Sequence, residues 1–549
     1  MRLNTEGLQN RTAWEAAGYR LPSFDREKAA EAARRTPQWI HFGAGNIFRA
    51  FQANLLQTLL EKGSCRTGLI AAEGFDYEII EKINRPCDDY SILVTLKADG
   101  TVEKSVVASV VESRCLDSKN STDFSRLKEI FAAPSLQLAS FTITEKGYSL
   151  TDGSGQLLSS IRRDFAAGPA APESYLGKVC ALLYARYEAG RLPIALVSMD
   201  NCSHNGTKVQ EAVFAFARHW CSAGCCDAGF EAYVHDAECV SYPWSMIDKI
   251  TPRPDPKVQA MLEADGVENP GAVVTAKHTW TAPFVNAEEC QYLVVEDDFP
   301  NGRPPLEEAG VIFTSRQTVD QAERMKVCTC LNPLHTALAV FGCLLGDTLI
   351  SEEMKNPLLK ALVERIGYQE GLPVVVNPGI LDPRAFLDEV VNVRIPNPFL
   401  PDTPQRIATD TSQKLPIRFG ETLKAYQASP ALSLDSLVGI PLVFAGWLRY
   451  LLGVDDTGKA FTPSPDPLLE TMQTQLSALR ESGIFHSASE DPAVFSARIR
   501  QTLSPILCRA ELFGVDLFEA GLAERVTGYF AEMLEGPGAV ARTLQKYLS

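Results

Sequence analysis

No run in these 549 residues approaches the roughly 20 consecutive apolar side chains that span a bilayer. Residues Met1 to Arg11 also lack the apolar core of an export signal, so the expected location is the cytoplasm. Positive charge is in deficit. Against 68 Asp and Glu stand 52 Lys and Arg, and the net charge of −16 argues against nucleic acid or an anionic membrane as partner. A small anionic substrate stays possible wherever a few cations gather. Paired cysteine clusters are missing too. Cys221, Cys225 and Cys226 group together and Cys328 and Cys330 form a C-x-C, but neither group has a second one at zinc-site spacing. The cysteines therefore read as free thiols filling apolar positions in a reducing compartment, with no metal expected. Internal repeats and low-complexity tracts are also absent.

What is present is an α/β pattern, in a chain long enough for two or more domains. Trp39-Ile-His-Phe-Gly43-Ala-Gly45-Asn46-Ile47-Phe48-Arg49, followed by Ala50 to Leu60, reads as a strand, a glycine turn and an amphipathic helix. Gly43 and Gly45 are spaced as in a dinucleotide-binding fingerprint. There they permit a tight turn and the close approach of a pyrophosphate to the helix N-terminus. Phe48 occupies the place of the third glycine, and Arg49 offers positive charge near the phosphates instead. Thr67 to Glu73 reads as the next strand. Its terminal acid, 30 residues after Gly43, is placed to bond ribose hydroxyls and favour NAD over NADP, or else to lie on the surface. Tyr90 to Leu96 and Val102 to Val111 flank Ala98-Asp-Gly100, a hairpin signal that predicts a β insertion.

Leu136 to Thr144 predicts a further strand running into Glu145-Lys-Gly-Tyr148, a loop at a strand's carboxyl end where ligands sit in open α/β sheets. Tyr175 to Tyr187 and Lys208 to Trp220 read as helices. Between them the buried strand Leu192 to Met199 ends in Asp200-Asn201-Cys-Ser-His-Asn-Gly206, either a capped turn or the wall of a site. Tyr242 to Pro252, containing Asp248, reads as extended. Asn301-Gly302 and Pro304-Pro305 mark a boundary near 305, give or take about 15 residues. The expected domains are thus 1–305, a Rossmann-like dinucleotide-binding domain with a β insertion, and 306–549, mainly helical and carrying substrate. Helical patterns cover Pro357 to Ile366, Leu442 to Leu452, Asp466 to Ser482, Ala493 to Cys508 and Leu512 to Leu534.

The densest chemistry lies in Glu323-Arg-Met-Lys326-Val-Cys-Thr-Cys-Leu-Asn332-Pro-Leu-His335, ahead of the apolar run Thr336 to Leu345. Asn332 and His335 are three apart and share a helix face. A lysine half-buried among apolar residues loses solvation of its charged form and becomes able to take a proton from an alcohol. Lys326 fits that description. It fits equally a lysine snorkelling from a core helix that Asn332 caps. Arg394, Arg406, Lys414 and Arg418 gather four cations in 25 residues, either a solvated loop or a seat for an anion.

Taken together, these segments resemble the polyol-specific long-chain dehydrogenase/reductase family. The matching stretches are Gly43 to Arg49, Thr142 to Tyr148, Asp200 to Gly206, Met246 to Pro252, Met325-Lys326 with Leu331 to His335, and Arg406 with Lys414. The resemblance implies a zinc-independent, NAD-linked, two-domain oxidoreductase. By it, Lys326 is the general acid/base, and Asn201 and Asn332 donate to the reacting oxygen. His335 binds substrate near that oxygen, and Glu323 relays protons. Asp248, Arg406 and Lys414 line the substrate pocket, and the cofactor lies on Gly43 to Arg49, Glu73, Thr144 and Glu145. The expected substrate is a keto-hexuronate and its sugar acid, of fructuronate/mannonate type, with mannitol or another polyol as alternative. The expected state is a monomer or small homo-oligomer. A protein that senses NAD without catalysis, and a zinc dehydrogenase, are the readings from other classes. One departure has a structural consequence. The family pattern puts the asparagine five positions after the lysine, whereas Asn332 comes six after Lys326. Each helical residue adds about 100° of rotation, so the extra residue predicts a π-bulge or a break between Lys326 and Pro333.

Overall fold

The computed structural model describes residues 1–481, 485 and 491–549. It divides into two compact units, Met1–Asp320 and Gln321–Ser549.

The first unit is built on a six-stranded parallel sheet. Its strands are β2 (Trp39–Phe42), β3 (Leu69–Glu73), β6 (Val110–Cys115), β7 (Leu138–Phe141), β8 (Ile194–Ser198) and β9 (Val240–Ser241), in the order β6-β3-β2-β7-β8-β9. In chain order that is 3-2-1-4-5-6, the doubly wound arrangement whose reversal lies between β2 and β7. Strand side chains alternate between faces. Accordingly Ile40, Phe42 and Ile70 enter one apolar core, while Trp39, Leu69 and Ala71 enter the other. Arg186 is fully buried and donates to five carbonyl oxygens, those of Phe131, Ala133, Leu136, Leu192 and Pro193, which satisfies its whole donor set.

The expected hairpin is present as β4 (Ser91–Leu96) against β5 (Val102–Val107). It is widened by β1 (Tyr19–Arg20) and β11 (Phe284–Glu288) into a four-stranded sheet. The strand expected over Val102 to Val111 is in fact two. The chain leaves the hairpin at Ala108-Ser109 and enters the parallel sheet as β6, beside β3. A third sheet joins β10 (Ser245–Asp248), β12 (Tyr292–Glu296) and β13 (Ile312–Thr314). Pairing of β13 with β12 keeps the chain beyond Pro305 in the first unit, so the division falls at 320, at the far edge of the span expected around 305.

The second unit is helical. Its scaffold includes α1 (Asn332–Leu345) and α2 (Gly439–Tyr450). Buried Glu370 accepts from the amides of Val438, Gly439 and Ile440 at 2.7–2.9 Å and so neutralises the N-terminus of α2. The helix expected over Leu512 to Leu534 is interrupted: helices Ala510–Phe513 and Ala523–Glu532 flank turns at Gly514 and Gly521, both with positive φ. The pattern over Asp466 to Ser482 forms Leu469–Gln475 and Ser477–Glu481, and Ser482 lies outside the described residues. The run Arg316–Leu345 is long and apolar enough to cross a membrane, yet 83% of its most apolar window is buried within the protein, as in a core helix.

Glu353 is fully buried against α1, with neither carboxyl oxygen bonded among the described residues. Burial, and then nearby Asp347, push its carboxyl up to about 9 from 4.5. Between those values the unfolded carboxyl is ionised while the folded one stays protonated. Stability therefore falls as pH rises through that window, by at most about 1.4 kcal/mol per pH unit, and levels off above it. Glu353→Gln is expected to flatten this slope, measured by urea midpoints from pH 5 to pH 9.

Candidate active site

At the sheet's reversal point the chain turns sharply after β2. Gly43 has φ +108°, and a Cβ there would lie 2.3 Å from the Thr142 carbonyl oxygen, so only glycine fits. Gly45 is different: its φ is ordinary, and a Cβ would meet no protein atom within 4 Å. Helix begins at Asn46-Ile47 and passes through a π-helical turn, Phe48–Gln52. Phe48 is fully buried and stacks on His41 at 4.4 Å, which explains a large residue where a third glycine was looked for. His41 is itself bonded to Ser140 and Thr142, and burial drops it to about 3, so it is neutral near pH 7.

Arg49 is 3% exposed. Among the described residues it donates only to neutral acceptors, the carbonyl of Ala282 (2.6 Å), Asn46 Oδ1 (2.9 Å) and Thr281 Oγ1 (3.2 Å), and its Nε has no partner. A buried, uncompensated cation thus stands in the first turns of the helix that follows the glycine turn. Glu73 is not a surface acid. It is 4% exposed and accepts from the backbone amides of Ala44 (2.8 Å), Phe75 (2.7 Å) and Asp76 (3.0 Å), with its pKa raised by burial against the pull of those bonds. It therefore locks the glycine turn to the end of β3.

Beyond β7, Thr144 has φ 65° and ψ 160°, a region open essentially to glycine alone. Asp200 holds it there. Its carboxylate accepts from the Ile143 and Thr144 amides and from the Tyr148 hydroxyl, and burial raises its pKa. Glu145 is exposed and pairs with Lys208 at 2.9 Å. Asn201 follows Asp200 on the turn after β8, and Asp248 ends β10, nearly buried. The two segments are joined by Asn205, fully buried, which bonds the Asp200 carbonyl and both backbone and hydroxyl of Ser245. The turn-or-wall ambiguity of Asp200 to Gly206 resolves in part: Asp200 and Asn205 build the turn and leave Asn201 exposed upon it.

In the second unit Lys326 is 1% exposed and opens a π-helical turn, Lys326–Cys330. The helix then breaks at Leu331 (φ −129°, ψ −62°) and restarts as α1 at Asn332. Both the bulge and the break expected from the six-residue spacing are present. Asn332 lies inside α1 and provides no cap bond, and Pro333 sits where a missing N–H costs nothing. Asn332 and His335 are half-exposed while their neighbours Pro333, Leu334 and Thr336 are buried, so the two share the open face; Glu323 is half-buried one turn before Lys326.

The cations belong to the same unit. Arg394 is 2% exposed at the end of another π turn, Val390–Arg394. Arg406 is exposed and pairs with Asp402. Lys414 donates to the carbonyls of Ile407 and Thr409, and burial followed by neighbouring Arg418 push it down to about 8. Arg418 reaches α1 itself, donating to Thr336 Oγ1 (2.5 Å) and to the Asn332 carbonyl (3.4 Å). Sequence reasoning missed Asp200, Asn205 and His41 as supports. The polar run at a strand end pointed at the first two. Among the described residues no cluster of three His, Cys, Asp or Glu is placed to hold a metal ion.

Comparison with known proteins bears on both units. Residues 37–308 match the mannitol dehydrogenase Rossmann domain and residues 318–502 the mannitol dehydrogenase C-terminal domain. D-mannonate oxidoreductase of Thermotoga maritima is 52% identical over 548 residues, covering 100% of this chain and 99% of the relative. Mannitol 2-dehydrogenase of Cereibacter sphaeroides is 29% identical over 481 residues, covering 84% and 89%. The solved Pseudomonas fluorescens mannitol 2-dehydrogenase, a ternary complex with NAD and D-mannitol, aligns over 100% of this chain and 99% of its own at 26% identity, with a TM-score of 0.69.

Proposed function

Because this chain belongs to the mannitol dehydrogenase family of oxidoreductases, we propose that it interconverts a keto-hexuronate and its sugar acid, of fructuronate/mannonate type, with NAD as the hydride carrier. The observation that supports acid over polyol is Arg418, held by neutral oxygens on the turn that bears Asn332, with Lys414, also held by neutral oxygens, four residues before it. The 52% identity to a D-mannonate oxidoreductase supports the same choice.

NAD fits the first unit. The clear space over Gly45 suits a pyrophosphate, and the uncompensated charge of Arg49 favours an anion in the helix's first turns. Asn46, Ile47 and Phe48 supply the helix start, and Thr144 and Glu145 the loop across the reversal point. Bound NAD supplies hydride transfer. Lys326 holds the proton: in oxidation its uncharged amine takes the hydroxyl proton, and in reduction its ammonium returns it. The carboxamides of Asn201 and Asn332 steady the negative oxygen, His335 orients substrate from the open face of α1, and Glu323 passes the proton onward. Asp248, Arg394, Arg406 and Lys414 shape the substrate pocket. No step calls for a metal. The setting is a cytoplasmic enzyme, monomeric or a small homo-oligomer, acting on small molecules.

A panel of fructuronate, fructose and other keto sugars with NADH and NADPH tests the proposal. Fructuronate with NADH should turn over fastest, and faster turnover of fructose would favour mannitol-type activity instead. Glu73→Gln is expected to raise the KM for NADH and NADPH alike, by about tenfold, because Glu73 acts through the turn it braces. A selective gain for NADPH would assign it to the ribose.

A further inference from the structure

We infer that Arg418, with Lys414 one helical turn before it, is the seat of the substrate carboxylate and the residue that selects acid over polyol. The inference rests on the keto-hexuronate reading above. Arg418 sits in a π-helical turn, Pro416–Gly420, and commits one nitrogen, Nη1, to Thr336 and Asn332. Among the described residues its Nε and Nη2 have no acceptor. That edge is the planar fork that meets a carboxylate with two parallel bonds. Among the described residues neither Arg418 nor Lys414 has a carboxylate within ion-pair distance, and their acceptors are carbonyls and one hydroxyl. The Arg418 charge is positioned but not neutralised, while Asp410 and Asp466 offset part of the Lys414 charge from beyond ion-pair distance.

Arg406 differs: exposed and paired with Asp402, it has its charge met already. Half-burial of Arg418 strengthens its attraction for an anion, as its depressed pKa of about 10 also reflects. A polyol hydroxyl in the same place gains an ordinary hydrogen bond and no ion pair. Because Arg418 also grips the first turn of α1, a carboxylate bound on its free edge is held at a fixed distance from Asn332.

Calorimetric binding of D-mannonate and of D-mannitol to the full chain with NAD tests this, beside kcat/KM for fructuronate. Arg418→Met is expected to weaken mannonate by about 100-fold and leave mannitol within threefold. Arg418→Lys, which keeps the charge and loses the fork, should fall between. Thr336→Val removes the shorter of the two Nη1 bonds but not the fork, and should preserve the mannonate-to-mannitol ratio. It thereby separates acid recognition from support of Asn332. Equal losses for both ligands in Arg418→Met and Arg418→Lys, or no loss, would overturn the inference. Wild-type protein that binds mannonate no tighter than mannitol would instead overturn the reading beneath it.

Discussion

Lys326→Ala should lower the turnover of the preferred keto acid by about 10³-fold while leaving NADH binding intact. The expectation follows from where the amine is kept. A snorkelling lysine ends in water, but Lys326 is 1% exposed, so its ammonium has lost its hydration shell. It opens the π turn, and the helix restarts with Asn332 as its first residue and His335 one turn on. Lys326→Met fills similar volume without an amine. If Lys326 served packing alone, methionine would restore activity; if it carries the proton, methionine and alanine fail alike. Steady-state rates in both directions, with NADH affinity by fluorescence, decide between them. A protein that senses NAD without catalysis would show no rate to lose.

Much of this was legible from the residues. The glycine pair, the parallel strands and the hairpin follow from short-range patterns, and so does the register problem between Lys326 and Asn332. Six residues cannot keep two side chains on one helical face, and the chain answers with a π turn and a break. What pattern reading could not supply is which way a polar side chain bonds. Glu73 looks like an acid at a strand end, yet its oxygens are turned on three backbone amides. Arg406 and Arg418 look alike in sequence, but one is paired with Asp402 and the other keeps a free edge beside α1. Asp200 escapes notice because its work, holding Thr144 in a glycine-like conformation, depends on contact between two loops more than 50 residues apart. The helices expected over Leu512 to Leu534 failed at Gly514 and Gly521, whose positive φ ends a helix that the apolar period would continue.

The paired variants Gly43→Ala and Gly45→Ala should separate glycine needed by the protein from glycine needed by its ligand. At Gly43 a methyl group would meet a backbone oxygen 2.3 Å away, on a φ that L-residues avoid. Neither neighbour can give way, because β2 and β7 are paired along their whole length in the middle of the sheet. Gly43→Ala should therefore cost about 3 kcal/mol or more of stability and abolish NADH binding with it. At Gly45 the methyl meets nothing in the protein and the backbone is ordinary. Stability should then stay within about 0.5 kcal/mol, or rise slightly through a stiffer unfolded chain. Yet if the pyrophosphate lies over that residue, the same methyl overlaps it, and overlaps of this size cost about 1–3 kcal/mol. NADH affinity should accordingly fall by about 10- to 100-fold in a fully folded protein. Thermal melts and NADH titration of the two variants measure both quantities. Unchanged NADH affinity in Gly45→Ala would remove the cofactor from this turn, and with it the proposal that the fingerprint residues Gly43 to Arg49 bind NAD.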